Sequence, residues 1–433
     1  MRLRTRLVVL AALTHAASAA AQPAHLVADL SADPSSYSGS YVVVRGGMAG
    51  KAFFTIETGD GREMWASDGT AAGTTLLADT CPGPCAPTLD VLGTVNGLTL
   101  WSAADAGGLI RSDGTRAGTY RLAGPEGDLF PFTALDQRVV AQGRLFFSGR
   151  TAANGSELWQ TDGTRTGTVR VTDLAPGAEG SHPSHLVAAG AALFFSAQDG
   201  EYGAPALYVI VGPGAAPRRL VDLTSSIRAT AAAGARIFYL TGDYASTELW
   251  TSDGTAAGTR MLRSFPRGTY SESGWLEAAG NRVLFAADDG THGPQVWRSD
   301  GTTAGTVRLT TLAPVSGELY ITPTGVEALG EGVLVIYRES SASTKLYATA
   351  GPGQPMVVVQ STCPQCGFVG GLQRFGDRVV FGATTAASGC GRPTAPSAAP
   401  RCWRRAARVA ASSRPHRRPS ARDCSSASTA PAA

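Results

Sequence analysis

The chain has 433 residues, 43% of them hydrophobic and 16% charged, with a formal net charge of +3. Both ends distort that charge: the first 21 residues hold 3 of the 37 basic residues and the tail from Gly389 holds 9, with 1 of the 34 acidic ones, which leaves residues 22–388 with 25 basic against 33 acidic groups, a net −8. An acidic body excludes the clustered Lys and Arg face of a nucleic-acid binder, and no apolar run approaches the roughly 20 residues that span a bilayer.

At the start, Arg2, Arg4 and Arg6 precede the apolar run LVVLAAL (7–13) and the small residues ASAAAQ (17–22). These are the three parts of a secretory signal peptide. Residues 1–21 are therefore expected to be removed, which places the mature chain in the periplasm, at the cell surface or outside the cell. No Cys ends the run, so no lipid anchor is expected.

From residue 22 to Ser388 the chain repeats itself. An aromatic residue or its replacement recurs at Trp65, Arg111, Trp159, Tyr208, Trp250, Trp297 and Tyr347, in steps of 46, 48, 49, 42, 47 and 50. Each is preceded by a short apolar run: AFFT (52–55), TLWS (99–102), LFFS (145–148), LFFS (193–196), IFYL (237–240), VLFA (283–286) and LVIY (334–337). An eighth run, VVFG (379–382), has no such sequel. Within the unit 183–223, SHLVAAG, ALFFSAQD, ALYVIV and RRLVDL are apolar runs bordered by Gly, Pro or Asp, which is the signature of strands. No segment offers a helical apolar stripe of useful length free of Gly and Pro. Four strands per unit at this period predict an all-β fold, a β-propeller of about seven or eight four-stranded blades. A β-solenoid is the alternative, with shorter repeats.

The phrase common to the units is ELWTSDGTAAGT (248–259) and its copies EMWASDGTAAGT (63–74) and ELWQTDGTRTGT (157–168). Strand alternation puts Leu249 on one face and Glu248 and Trp250 on the other; Trp250 is expected to wedge between blades. Asp253-Gly254 then turns the chain, since Asp bonds a backbone N–H two residues on and Gly accepts a positive φ. Thr255 and Thr259 are expected to open the fourth strand. Asp68, Asp113, Asp162, Asp253 and Asp300 are thus read as turn residues. The competing reading is a calcium site built from their carboxylates, but two units turn with GPGAAP (212–217) and GPGQP (351–355), which carry none.

Four cysteines lie in two tight pairs, Cys81 with Cys85 in CPGPC and Cys363 with Cys366 in CPQC. In an exported chain these are expected to form two local disulfides; a shared Cys₄ zinc site is the sharper alternative. His182 and His185 form an HxxH without the HExxH pattern of a metalloprotease. In a propeller, the loops from second to third strand share one face with the connections to the next blade, and the DGT turns lie opposite. Those loops vary here: SAADAGG (102–108), SGRTAANGS (148–156), SAQDGEYGAP (196–205) and AADDGTHGP (286–294). Variable loops on a rigid scaffold carry recognition, which makes Tyr202, Asp289 and His292 the candidate binding residues.

The spellings EMWASDGTAAGT, ELWQTDGTRTGT, ELWTSDGTAAGT and QVWRSDGTTAGT resemble the bacterial ELWxxDGT repeat family over about residues 26–388. The resemblance implies a secreted or surface protein with propeller-like repeats, and implies no catalytic residues. The second unit departs from the pattern, GLIRSDGTRAGT (108–119) lacking the aromatic.

After Ser388 the composition changes to Arg, Ala, Ser and Pro. Residues 389–433 read either as a disordered basic tail or as an out-of-frame translation of an eighth repeat. The codons of Pro393, Thr394 and Ala395, read from their third bases, permit Asp-Gly-Thr. Those around Cys390 permit Leu-Trp, and those of Ala398 and Ala399 permit Gly-Thr. The function expected is a non-catalytic scaffold for an extracellular protein or glycan, without cofactor. The alternative is a polysaccharide hydrolase or lyase, which needs paired carboxylates.

Overall fold

The computed structural model describes residues 41–383, except for 49, 59–60, 81–87, 104–107, 123–129, 132–136, 200–202, 244, 267–274, 313–322, 330, 341–342, 362–368 and 376–377. The signal segment, the basic tail, both cysteine pairs and Tyr202 lie outside the described residues. Every described element is a β-strand. The chain divides into two compact units, one up to Thr322 and one from Pro323.

The first unit holds six antiparallel sheets in chain order. Sheet one is β1 (Tyr41–Met48), β2 (Lys51–Thr58), β3 (Gly61–Ser67) and β4 (Thr75–Asp79). Sheet two is β5 (Leu89–Val95), β6 (Leu98–Ala103), β7 (Gly108–Ser112) and β8 (Tyr120–Leu122). Sheet three is β10 (Arg138–Ala141), β11 (Arg144–Thr151), β12 (Gly155–Thr161) and β13 (Val169–Arg170), with the short β9 (Phe130–Pro131) pairing β11. Sheet four is β14 (Ser184–Ala189), β15 (Ala192–Gln198), β16 (Pro205–Val211) and β17 (Arg218–Asp222). Sheet five is β18 (Ala229–Ala233), β19 (Arg236–Gly242), β20 (Ser246–Ser252) and β21 (Arg260–Pro266). Sheet six is β22 (Leu276–Ala279), β23 (Arg282–Asp288), β24 (Pro294–Ser299) and β25 (Val307–Arg308). The second unit contains sheet seven, β26 (Pro323–Leu329), β27 (Gly332–Ser340), β28 (Ser343–Thr349) and β29 (Val357–Ser361), and a hairpin, β30 (Val369–Phe375) and β31 (Arg378–Ala383). Within each four-stranded path the order follows the chain, so every sheet is a meander.

The fold is thus all-β, built from four-stranded blades of the β-propeller type. In the first unit the first strands of consecutive sheets adjoin one another, β5 with β1, β10 with β5, β14 with β10, β18 with β14 and β22 with β18. Sheet faces then pack on sheet faces. Five buried clusters fill the five seams between the six sheets, each drawing on two consecutive ones.

The Leu and Trp of the repeated phrase supply opposite seams. Leu249 lies in the cluster between sheets five and six, while Trp250 packs on the one between sheets four and five. Leu158 and Trp159 divide in the same way, forward and backward. This follows from strand alternation, which turns neighbouring side chains to opposite faces. Each such aromatic sits directly across from a large residue of the second strand: Phe54 faces Trp65, Phe147 faces Trp159, Phe195 faces Tyr208, Tyr239 faces Trp250 and Phe285 faces Trp297.

The pairing corrects the reading of unit two. Ile110, and not Arg111, holds the Trp register, and its partner across the ladder is Trp101. Ile110 is buried between sheets one and two, whereas Arg111 points the other way, stacking on Tyr120 at 4.7 Å. Bulk has been exchanged across the ladder: where the other five sheets of the first unit pair an aromatic on the second strand with one on the third, sheet two pairs Trp with Ile.

Four of the sheet edges are blunted. The outer strand is 3 residues in sheet two and 2 residues in sheets three and six, and the longer β17 carries Arg218 and Arg219. Short or charged edges resist pairing with a second chain.

Candidate functional site

Five copies of the DGT loop have one geometry. In the fifth sheet Asp253 Oδ1 accepts from the Thr255 N–H at 3.0 Å and the Thr255 hydroxyl at 2.7 Å. Thr255 Oγ1 then accepts the Gly258 N–H at 2.9 Å. Ser252 Oγ lies 2.7 Å from Thr259 Oγ1 and accepts the Gly254 N–H at 3.1 Å. The same bonds recur at Asp68, Asp113, Asp162 and Asp300. Thr255 therefore stays in the loop and β21 begins only at Arg260, contrary to the expectation that Thr255 opens the fourth strand.

Two positions in this network were given no structural role from the sequence. One is the hydroxyl residue before Asp: Ser67, Ser112, Thr161, Ser252 or Ser299. The other is the second glycine, Gly73, Gly118, Gly167, Gly258 or Gly305, where a Cβ would overlap the carboxyl of the loop's own Asp. All five carboxyls are held below the ordinary Asp range, chiefly by the Thr hydroxyl and with help from the Thr N–H. A charged acceptor is favoured wherever donors are fixed around it.

The loops also tie sheets together. The DG glycine adopts a positive φ, 87° at Gly254 and 90° at Gly301, and its carbonyl accepts from the preceding sheet. Lys51 Nζ donates to Gly114 O at 2.8 Å and Arg260 Nη2 to Gly301 O at 3.1 Å, and Arg218 does the same to Gly254 O. Beside one loop, a groove of about 470 Å³ opens between sheets one and two, lined by Lys51, Trp65, Leu76, Gly114 and Arg116.

The opposite end of the sheets is built differently, and the first residue of ELW governs it. Glu157 is fully buried. Its carboxylate accepts from Thr172 Oγ1 at 2.6 Å, Ser181 Oγ at 2.7 Å, Ser181 N at 3.1 Å and Ala175 N at 3.2 Å. Four donors satisfy a buried carboxyl whose oxygens would be costly to leave unpaired. The donors come from the connection between β13 and β14, so Glu157 holds the chain where it crosses from one blade to the next. In sheet six Gln295 takes the position: its Oε1 accepts from Thr310 Oγ1 and Leu312 N, and its Nε2 donates to Leu312 O and His292 O. In sheets one and five Glu63 and Glu248 instead accept from the indole N–H two residues on, both at 3.0 Å. The Thr-x-Leu-Ala-Pro spelling, at 172–176 and 310–314, starts 15 residues after Glu157 and Gln295. It was the available signal for this latch.

Of the candidate binding residues, Asp289 and His292 lie together. The His292 ring Nδ1 is 2.9 Å from Asp289 Oδ2, Arg308 Nη1 donates to the same oxygen at 3.0 Å, and the Thr291 and His292 N–H groups donate to Oδ1. Burial pushes the Asp289 carboxyl up, but the backbone donors and the ring outweigh it, leaving it below the ordinary range. His292 is 44% exposed and Asp289 15%. In sheet four Asp199 pairs with Arg219 at 3.2 Å, and Arg219 also holds Asp222. His185 Nδ1 lies between Ser184 Oγ and Ser196 Oγ, at 3.1 and 3.2 Å. Among the described residues no group of three or more His, Cys, Asp or Glu side chains is placed to hold a metal ion.

No protein-family model and no curated protein matches the chain by sequence. Among solved structures, a puromycin hydrolase mutant complexed with PGG aligns at 15% identity and a TM-score of 0.38, over 81% of this chain and 50% of that one. One from a study of two prolyl endopeptidases aligns at 12% and 0.41, over 79% of this chain and 46% of that one. The putative TolB of Agrobacterium tumefaciens aligns at 14% and 0.28, over 52% of this chain and 80% of that one. The chain spans about half the length of the first two. At these TM-scores the alignments carry no argument about activity.

Proposed function

We propose that the protein is an exported, non-catalytic binding scaffold of the ELWxxDGT type, which presents the loops between second and third strands to an extracellular protein or glycan. The observation that carries this reading is the contrast between the two ends of the sheets. At one end, five DGT loops repeat a single self-contained hydrogen-bond network. At the other, the two connections described throughout have no common form: residues 152–154 in sheet three and 289–293 in sheet six differ in length and spelling. Repetition maintains a scaffold, and diversity at one rim suits recognition.

The test is a glycan and protein array probed with the purified chain, alongside a hydrolysis assay on the bound ligand. Binding without turnover is the expected result; depolymerisation of a bound polysaccharide would replace this reading with the hydrolase or lyase. Asp289→Ala and His292→Ala are expected to weaken a ligand found this way about tenfold, and unchanged affinity counts against the loop rim. Export and disulfides belong to the same proposal. Thiol titration of the unreduced protein should find Cys81, Cys85, Cys363 and Cys366 unreactive, and chelator-sensitive protection would point instead to the zinc alternative.

A further inference from the structure

The β30–β31 hairpin has the form of the first half of a blade. β31 spells RVVF at 378–381, in line with RLFF at 144–147, RIFY at 236–239 and RVLF at 282–285, each the second strand of a complete sheet. Among the described residues, β31 pairs only with β30. In every complete sheet the second strand is paired on both sides, because an unpaired row of N–H and C=O groups invites association. The question is what belongs against the other side of β31.

We infer that its partner is encoded by the nucleotides of residues 389–400 read in another frame, and that the tail from Gly389 is a frameshift product of an eighth ELWxxDGT unit. The loop network supplies the criterion. A DGT loop needs a hydroxyl residue before Asp, Gly and Thr after it, and a second Gly-Thr beginning five residues after Asp. Reading from the third base of each codon, Gly389-Cys390-Gly391 yields NTG and YGG, which include Leu and Trp. Arg392 with Pro393 yields NCC, which includes Ser and Thr. Pro393 to Pro396 yields NAC, NGC and NCC, which include Asp, Gly and Thr. Ala398 to Pro400 yields NGC and NCC, which include Gly and Thr. The hydroxyl position is the requirement that the structure adds, and it is met at the right spacing. With one base restored, the new Trp follows Phe381 by about ten residues, between the separations of the ladder pairs Trp101–Ile110 and Phe195–Tyr208.

Sequencing the coding DNA tests this base by base. The third bases of Cys390, Pro393, Thr394, Ala395, Ala398 and Ala399 must be T, G, G, A, G and A. That of Gly389 must be C or T, and that of Arg392 T or A. These identities support the proposal, and any other base at the Asp, Gly or Thr codons overturns it. A protein-level arm compares this chain with one in which a single restored base before the Gly389 codon returns the frame. Amide protection over 378–383 is expected to rise at least about tenfold on restoration, since the second strand then gains its ladder. Equal protection in both chains overturns the docking of the new strands on β31.

Discussion

Asp253 takes two hydrogen bonds from Thr255, and its carboxyl then fills the space where a side chain on Gly258 would go. The glycine is required by a neighbour's carboxylate, which explains why each of the five DGT loops between third and fourth strands is followed by a Gly-Thr. Gly258→Ala is therefore expected to destabilise the chain by about 1–3 kcal/mol, in the range of local overpacking. Combined with Asp253→Ala the loss should be smaller than the sum, because the second change removes the obstacle; denaturant titration of the four proteins measures it, and strict additivity would show that the clash is relieved elsewhere. The carboxyls also set a pH dependence. Their folded values are depressed, chiefly by the Thr hydroxyls, so an unfolded chain takes up these protons first. The stabilisation is complete above about pH 4, near the unfolded Asp value, and is lost as pH falls through the lower folded values. Asp253→Asn should flatten the decline of the urea midpoint as the pH falls below about 4.

At the scale of the element, the third strand does two jobs through neighbouring residues. Leu faces one seam and Trp the other, and that much was legible from alternation and the 46-residue period. The register of unit two was not: with no aromatic to anchor it, Arg111 stood in for Ile110, because the bulk that compensates lies on another strand, at Trp101. The exchange makes a prediction. Ile110→Trp alone overpacks the seam between sheets one and two and should cost about 1–3 kcal/mol, while Trp101→Phe with Ile110→Trp, which restores the pair found in sheets one, three and six, should recover most of it. The role of Glu157 was equally hidden. Its donors lie 15 to 24 residues downstream, and the alternation that places Glu248 beside Trp250 says nothing of a connection that folds back. Glu157→Ala leaves four donors of that connection without their acceptor, and amide exchange over 172–182 should accelerate while β12 stays protected.

Across the first unit, the clusters are pairwise: each seam joins one sheet to the next, and none spans three. The DGT carbonyls and the connector latch are likewise bonds between immediate neighbours or within one crossing. Such a chain approaches a one-dimensional array, in which stability is a sum of sheet and interface terms. The repeat period made the array readable, but the balance between seams was not, since it depends on which indoles find an acceptor. Trp250 bonds Glu248 and Trp297 bonds Ala287 O, whereas Trp159 Nε1, whose Glu157 is diverted to the connection, is buried and has no partner among the described residues. Trp159→Ala removes a fully buried ring and should cost about 3–5 kcal/mol. The array predicts where that loss is felt. Amide exchange should speed up in β6, β7, β11 and β12, on the two sides of the emptied seam, and change little in β19, β20, β23 and β24. Equal acceleration in all eight strands would mean that the six sheets open as a single cooperative body, and that contacts between neighbours do not account for how the molecule is held together.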